Sequence, residues 1–319
     1  MRILVTGANG FVGKPLCRSL LAGGHGVRGA LRRSRASLPE GIETVVVGEI
    51  GRVTDWGAAL QGVEAGVHLA ARGHVMRDEA ADPLAEFRRV NVEGTLNLAR
   101  QAAEAGVRRF VFLSSIKVNG ETTREGAPFR ADDPPAPEDP YAVSKREAED
   151  GLLALARETG MAVVIVRPPL VYGPGVKGNF ASLVHWVRKG IPLPFGALEN
   201  RRSLVALDNL VSFIALCADP AKSPQAANEV FLISDGEDVS TPELLRRVAR
   251  AHGAQARLIP VPPAWMRLGA RLLGKSAVAD RLLGTLAIDS SKARERLGWR
   301  PVVTMDEQLQ KMAHDATFV

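Results

Sequence analysis

Three observations predict an α/β fold built on a doubly wound parallel sheet. Short apolar runs alternate with helical patterns through the first 167 residues. A glycine-rich turn stands at the first strand–helix junction. After Arg167 the alternation loosens into turn-rich, then basic and helical sequence. Strand–helix–strand in series means parallel strands joined by crossovers, and a glycine turn at the first junction marks a Rossmann-type sheet.

Apolar, β-branched runs predict strands at Arg2–Thr6, Val27–Leu31, Glu43–Val47, Gly66–Leu69, Phe110–Ser114 and Val163–Arg167. Helical spacing predicts helices over 11–22, 55–61, 83–105 and 141–159. Residues 121–140 are too rich in proline for a helix or central strand and read as a loop. Pro140 suits the first turn of the next helix, and Asp139 its cap. Leu204–Asp219 reads as a helix and Glu229–Ser234 as a strand, both returning to the sheet. The predicted division is a nucleotide-binding domain over 1–167, with returning segments at about 204–236. A smaller discontinuous substrate lobe takes 168–203 and about 237–319.

The chain has 319 residues, enough for one large domain or two lobes. Its 46% hydrophobic and 24% charged residues are ordinary for a globular protein. Cys17 and Cys217 are too few and too far apart for a disulfide framework or a zinc site. His74 and His185 stand without acidic or thiol partners at ligand spacing, so no metal site is expected. The net charge of +6 points to small anionic ligands, whereas the 5% aromatic content and scattered arginines argue against nucleic acid. Residues 1–6 read as a strand rather than a secretory leader, and no apolar run approaches the ~20 residues that span a bilayer. A reducing, cytoplasmic setting is expected.

Gly7-Ala8-Asn9-Gly10-Phe11-Val12-Gly13 can cradle a pyrophosphate. Its glycines allow a tight turn and close backbone approach, and the following helix points its N-terminus at the anion. At the end of the second strand an acid would hold the ribose of NAD, but Arg32 and Arg33 stand there. Guanidinium groups suit a 2′-phosphate, so NADP(H) is the preferred cofactor and NAD(H) the other candidate.

Tyr141 and Lys145 fall one helical turn apart on one face. A nearby ammonium favours ionisation of a phenol, which otherwise titrates near pH ~10. With the glycine turn and this pair, the chain resembles the extended short-chain dehydrogenase/reductase family, whose members act on nucleotide sugars. Further segments carry the resemblance: His68-Leu69-Ala70-Ala71, Asn91-Val92-Glu93-Gly94-Thr95, Phe112-Leu113-Ser114-Ser115, Arg167-Pro168-Pro169-Leu170 and Leu297-Gly298-Trp299-Arg300-Pro301.

The resemblance implies that Tyr141 gives or takes the sugar hydroxyl proton, Lys145 supports it and binds the nicotinamide ribose, and Ser115 hydrogen-bonds the reacting oxygen. It also implies cofactor contacts at Glu49, Ile50, Leu69, Ala70, Ala71, Asn91 and Pro168. Lys117, Asn179, Arg201 and Arg202 are the implied substrate contacts. Leu170 stands where many relatives have asparagine.

Dehydratases of the family carry acids directly after the active-site hydroxyl, where this chain has Ile116 and Lys117. Dehydration is therefore not expected. The arginines after the second strand favour an exchangeable cofactor, hence NADPH-dependent reduction of a UDP-4-keto-6-deoxy-N-acetylhexosamine in surface polysaccharide synthesis. UDP-sugar 4-epimerisation with tightly bound NAD is the alternative, and a non-catalytic NADP(H) sensor a third. The helices over 83–105 and 141–159 match those with which similar proteins form homodimers. The apolar, basic stretch Trp265–Leu286 fits a helix capping the substrate lobe, or one lying weakly on an anionic membrane surface.

Overall fold

The computed structural model describes residues 1–33, 38–73, 82–272 and 282–315. In chain order the strands are β1 (Arg2–Thr6), β2 (Gly26–Leu31), β3 (Glu43–Val46), β4 (Ala65–His68), β5 (Arg109–Leu113), β6 (Ala162–Arg167), β7 (Leu170–Tyr172), β8 (Arg202–Ala206), β9 (Glu229–Leu232) and β10 (Asp238–Val239). The helices are α1 (Gly13–Ala22), α2 (Gly57–Leu60), α3 (Pro83–Phe87), α4 (Thr95–Glu104), α5 (Pro140–Thr159), α6 (Asn179–Arg188), α7 (Leu207–Ala218), α8 (Thr241–Ala251), α9 (Pro263–Leu272), α10 (Ser291–Leu297) and α11 (Met305–Ala313).

Seven parallel strands form the main sheet in the order β3-β2-β1-β4-β5-β6-β9. The order in which successive strands are added reverses between β1 and β4, and ligands of doubly wound sheets bind outside the carboxyl ends at that point. Alternate residues of each strand face opposite layers. Ile3 and Val5 pack with Leu16, Leu20, Phe213 and Ile214 of α1 and α7. Leu4 lies on the other face with Leu98, Ala102, Leu152 and Ala156 of α4 and α5. Burial on both faces explains why these strands read as continuous apolar runs.

A second sheet, β10-β8-β7, packs with α6, α8 and α11 around Phe180, Val184, Leu245, Val248 and Leu309. The helix expected over Leu204–Asp219 therefore begins later, at Leu207, because 202–206 is a strand of this second sheet. Trp265 does lie on a helix, α9, whose Met266 and Ala270 rest on the lobe's core.

The helix expected over 83–105 is interrupted. A π-helical turn, Arg88–Gly94, separates α3 from α4. Such turns widen the helix and redirect one side chain. Here that side chain is Asn91, which is buried.

Residues 121–140 form the expected loop, and the far end of the chain fastens it. Thr123 N–H donates to the Thr285 carbonyl at 2.8 Å, Phe129 N–H to that of Ala287 at 2.9 Å, and Asp289 N–H to that of Phe129 at 2.8 Å.

Candidate active site

The turn after β1 and the loop after β4 meet at the point where the winding reverses. Gly7 has φ +66°, and a Cβ there would sit 3.0 Å from the Ala70 nitrogen. A Cβ on Gly13 would lie 2.0 Å from the Gly7 carbonyl oxygen. Both positions therefore require glycine, one for conformation and one for the approach of α1 to the turn. Asn9 and Gly10 are exposed, while Phe11 and Val12 are half-buried. The Thr6 hydroxyl accepts from Ala70 N–H at 3.2 Å and bonds the buried His68 ring at 2.7 Å. Thr95 holds the other ring nitrogen at 2.9 Å. Burial pushes the His68 pKa down to about 3, so this ring is neutral scaffolding under the two loops. The open backbone between Gly7 and Gly13, at a helix N-terminus, fits a dinucleotide pyrophosphate.

Arg32 and Arg33 are exposed past the end of β2. Arg32 Nε lies 3.6 Å from Glu49 Oε1, so two residues of the expected cofactor set neighbour each other as an exposed ion pair. Ile50 is half-buried, and a Cβ on Gly94 would lie 2.6 Å from its Cγ2. Leu69 and Ala70 are half-buried and Ala71 exposed along the loop that Gly7 touches.

Asp139 caps α5 by accepting from Ala142 N–H at 2.7 Å, Pro140 fills the first turn, and Gly160 ends the helix at φ +75°. This places Tyr141 in the first turn, its ring edge-on to Phe87 at 5.9 Å between centroids. Lys145 lies one turn on, 2% exposed, with Nζ 6.0 Å from the Tyr141 ring centroid. Nζ donates to the Leu113 carbonyl at 2.8 Å and stands 4.4 Å above the Phe112 ring. Burial lowers the Lys145 pKa to about 7, against a smaller upward pull from Glu149. Burial, then the Asp139 charge, raises the Tyr141 pKa to about 12. The expected lowering of the phenol by Lys145 is thus not the dominant effect among the protein's own groups.

Ser115, in extended conformation after β5, accepts from Lys117 N–H at 3.3 Å. The Ile116 N–H donates to the Pro168 carbonyl at 3.0 Å, which joins the Ser115 turn to the end of β6. Lys117 Nζ is 2.5 Å from Asp139 and 3.0 Å from Glu121. Its role in the structure is to balance the cap beside Tyr141, a role its expected substrate contact did not foresee. Asn91 accepts from Arg72 N–H at 2.8 Å and donates to Ser144 Oγ at 3.0 Å. It ties the loop after β4 to the tyrosine helix.

The sequence reading missed the layer beneath. Glu149, fully buried and one turn past Lys145, takes Arg167 Nε at 2.9 Å, Arg167 Nη2 at 2.5 Å and Ser114 Oγ at 2.5 Å. Arg167 also donates to Asn119 at 2.9 Å. This network clamps β5, β6, α5 and the turn after Ser115 together. The signal was present: Glu149 continues the Tyr141–Lys145 face, and Arg167 directly precedes Pro168.

The expected substrate contacts stand on or next to α6 and β8. Asn179 is exposed at the start of α6, and Arg201 is exposed before β8. Arg202 is half-buried, donates to the Gly284 carbonyl at 3.1 Å and has its pKa lowered by burial. No hydrogen bond or ion pair joins Asn179 or Arg201 to Ser115, Tyr141 or Lys145 among the described residues. Leu170 is exposed. Among the described residues no group of three or more His, Cys, Asp or Glu could hold a metal, and no helix is long and apolar enough to cross a membrane. His185 is exposed on α6, and His74 lies outside the described residues.

A Rossmann-type sheet, a glycine cradle at its switch point and a Tyr–Lys pair beside it define a dinucleotide-dependent enzyme of the short-chain dehydrogenase/reductase class. The sequence profile of the NAD dependent epimerase/dehydratase family matches residues 3–233, and the chain belongs to that family. It is 50% identical over 313 residues to a UDP-glucose 4-epimerase of Vibrio cholerae, covering 98% of this chain and 94% of the relative. A UDP-glucose 4-epimerase of Mycolicibacterium smegmatis is 33% identical, with 98% and 97% covered. The crystal structure of a UDP-glucose 4-epimerase from Thermotoga maritima with UDP-glucose superposes with a TM-score of 0.77 at 26% identity, covering 98% and 97%.

Proposed function

We propose that this chain is a UDP-sugar 4-epimerase. The observation that carries the reading is the full-length 50% identity to the Vibrio cholerae protein, on a chain that keeps Ser115, Tyr141 and Lys145. This departs from the reductase expected from the sequence.

The residues that would hold the dinucleotide are the Gly7–Gly13 turn at the pyrophosphate, Leu69–Ala71 alongside, and Lys145 at the nicotinamide ribose. A nicotinamide held there would supply the acceptor and donor of the hydride that epimerisation at C4 requires. Tyr141 accepts the 4-hydroxyl proton as that carbon is oxidised and gives it back on reduction. Ser115 hydrogen-bonds the same oxygen in both directions. Lys145 brings a positive charge one turn from the phenol, which favours the tyrosinate. Asn179, Arg201 and Arg202 supply polar and cationic groups for the uridine diphosphate on the second lobe. A cytoplasmic homodimer formed through the α3–α4 and α5 region belongs to the same reading.

The test is incubation of purified protein with UDP-glucose, and separately with UDP-N-acetylglucosamine. The expected result is the 4-epimer of at least one, with no net change in reduced-nicotinamide absorbance. A second reading rests on Arg32 and Arg33, where an acid would accompany tightly held NAD: reduction of a UDP-4-keto-6-deoxy sugar with exchangeable NADPH. Stoichiometric NADPH consumption with that substrate, and no epimerisation, would replace the first reading with the second.

A further inference from the structure

The smaller lobe carries a surface that the reaction does not use. Ten large hydrophobic side chains are exposed among the described residues, and six of them fall in two segments of this lobe, 186–191 and 259–272: Trp186, Ile191, Ile259, Trp265, Leu268 and Leu272. Backbone pairing gathers the first three. Ile191 N–H donates to the Trp186 carbonyl at 3.1 Å, Leu193 N–H to that of Arg257 at 2.8 Å, and Ile259 N–H to that of Leu193 at 2.8 Å. Four residues after Ile259 the chain enters α9. That helix has no fully buried residue; Met266 and Ala270 rest on the core below.

The outward side of α9 is divided along its length. At 100° per residue, Trp265, Leu268 and Leu272 fall within one arc of about 60°, and Arg267 and Arg271 occupy the arc beside it. Trp265 is 72% exposed and Leu272 80%. Acids are excluded from both contributing stretches. From Gly160 to Leu198 the sequence has none, and Arg188 and Lys189 are exposed there. From Leu244 to Leu272 it again has none, and Arg257 and Arg271 are exposed there. Arg257 lies against Gly190, and the Arg188 charge is felt at His252, so the 188–190 and 252–257 segments adjoin on one basic side of the lobe, with α9 following shortly in the chain.

We propose that this side docks on an anionic lipid bilayer, with Trp265, Leu268 and Leu272 entering the headgroup region and the arginines meeting lipid phosphates. The charge selects the partner. A second copy of this chain would bring like charge against like, and a neutral apolar protein would leave the exposed Arg188, Arg257 and Arg271 facing it. An anionic interface satisfies both arcs of α9 at once.

The experiment is co-sedimentation of the full chain with large vesicles of phosphatidylcholine containing about 30 mol% phosphatidylglycerol, against phosphatidylcholine alone. Binding is expected on the anionic vesicles only. It should be released as salt rises from about 0.05 M to about 0.5 M, and accompanied by a blue shift of tryptophan emission. The W265S/L268S variant should bind about tenfold or more weakly, with thermal stability and epimerase kinetics in solution unchanged. R271Q should weaken binding at low salt. Absence of anionic-vesicle binding, equal binding of wild type and W265S/L268S, or loss of a solution dimer in that variant would each overturn the proposal. A raised KM for the UDP-sugar in W265S/L268S with vesicle binding intact would also overturn it, by making α9 a cover for the substrate.

Discussion

Replacing Lys145 with methionine should stabilise the protein while nearly abolishing its activity. The ammonium is 2% exposed, and burial lowers its pKa from 10.5 to about 7. That shift of about 3.5 units corresponds to at most about 5 kcal/mol set against folding wherever the group is charged in both states, below about pH 7. The sign follows from proton counts. The unfolded chain keeps this proton up to about pH 10.5 and the folded chain only to about pH 7, so the wild type gains stability as pH rises between them. Methionine keeps the length and removes the charge, but forfeits the bond to the Leu113 carbonyl and the contact with Phe112. Those losses return about 1–2 kcal/mol, leaving a net gain of roughly 2–4 kcal/mol. Urea unfolding of the protein without added cofactor at pH 6, 7 and 9 measures it. The variant's advantage should shrink by about 2 kcal/mol between pH 7 and pH 9. Turnover should fall by about 10²–10⁴-fold. A Lys145→Met protein less stable than wild type at pH 6, or one with the same pH slope, would refute the reasoning.

Tyr141→Phe should reduce turnover by about 10²–10⁴-fold with unchanged thermal melting, because the ring contact with Phe87 survives. Arg167→Met leaves the Glu149 carboxylate buried without its partner and should cost about 3–5 kcal/mol in denaturant unfolding, most of it recovered by adding Glu149→Leu. Lys117→Met uncovers the Asp139 charge that opposes phenol ionisation. The midpoint of the rising kcat/KM–pH profile should then move up by about one unit, return with Lys117→Arg, and move down with Asp139→Asn. If Arg32 and Arg33 read a 2′-phosphate, changing both to alanine should weaken NADP⁺ binding by about tenfold or more in titration calorimetry and leave NAD⁺ unchanged.

Much of this architecture is written in local pattern. Ile3–Val5 and Val163–Val166 are apolar on both faces because helices cover both, so their strands are readable directly. Asp139, Pro140 and Gly160 mark the ends of α5 by the chemistry of capping. Other features have no such trace. The π turn keeps the apolar spacing of an ordinary helix, and only the bonds of Asn91 to Arg72 and Ser144 show why the widening matters. Strands β7 and β10 are three and two residues long, too short for a period of two to register, so the second sheet was invisible. Glu149 and Arg167 are charged residues in the interior, where polarity misleads any reading by hydropathy. The partners of Lys117 depend on a loop whose path no periodicity fixes.

The fastening of residues 121–140 has a temporal consequence. Ala287 N–H reaches back across 164 positions to the Thr123 hydroxyl, and Asp289 to Phe129. A ribosome that has made only the sheet-forming portion has made the glycine turn, Ser115, Tyr141 and Lys145, but not the segment that pins the wall beside them. On the proposed function, the nascent chain would carry Ser115, Tyr141 and Lys145 well before the segment that fastens this loop, and competence is expected only with the last tenth of synthesis.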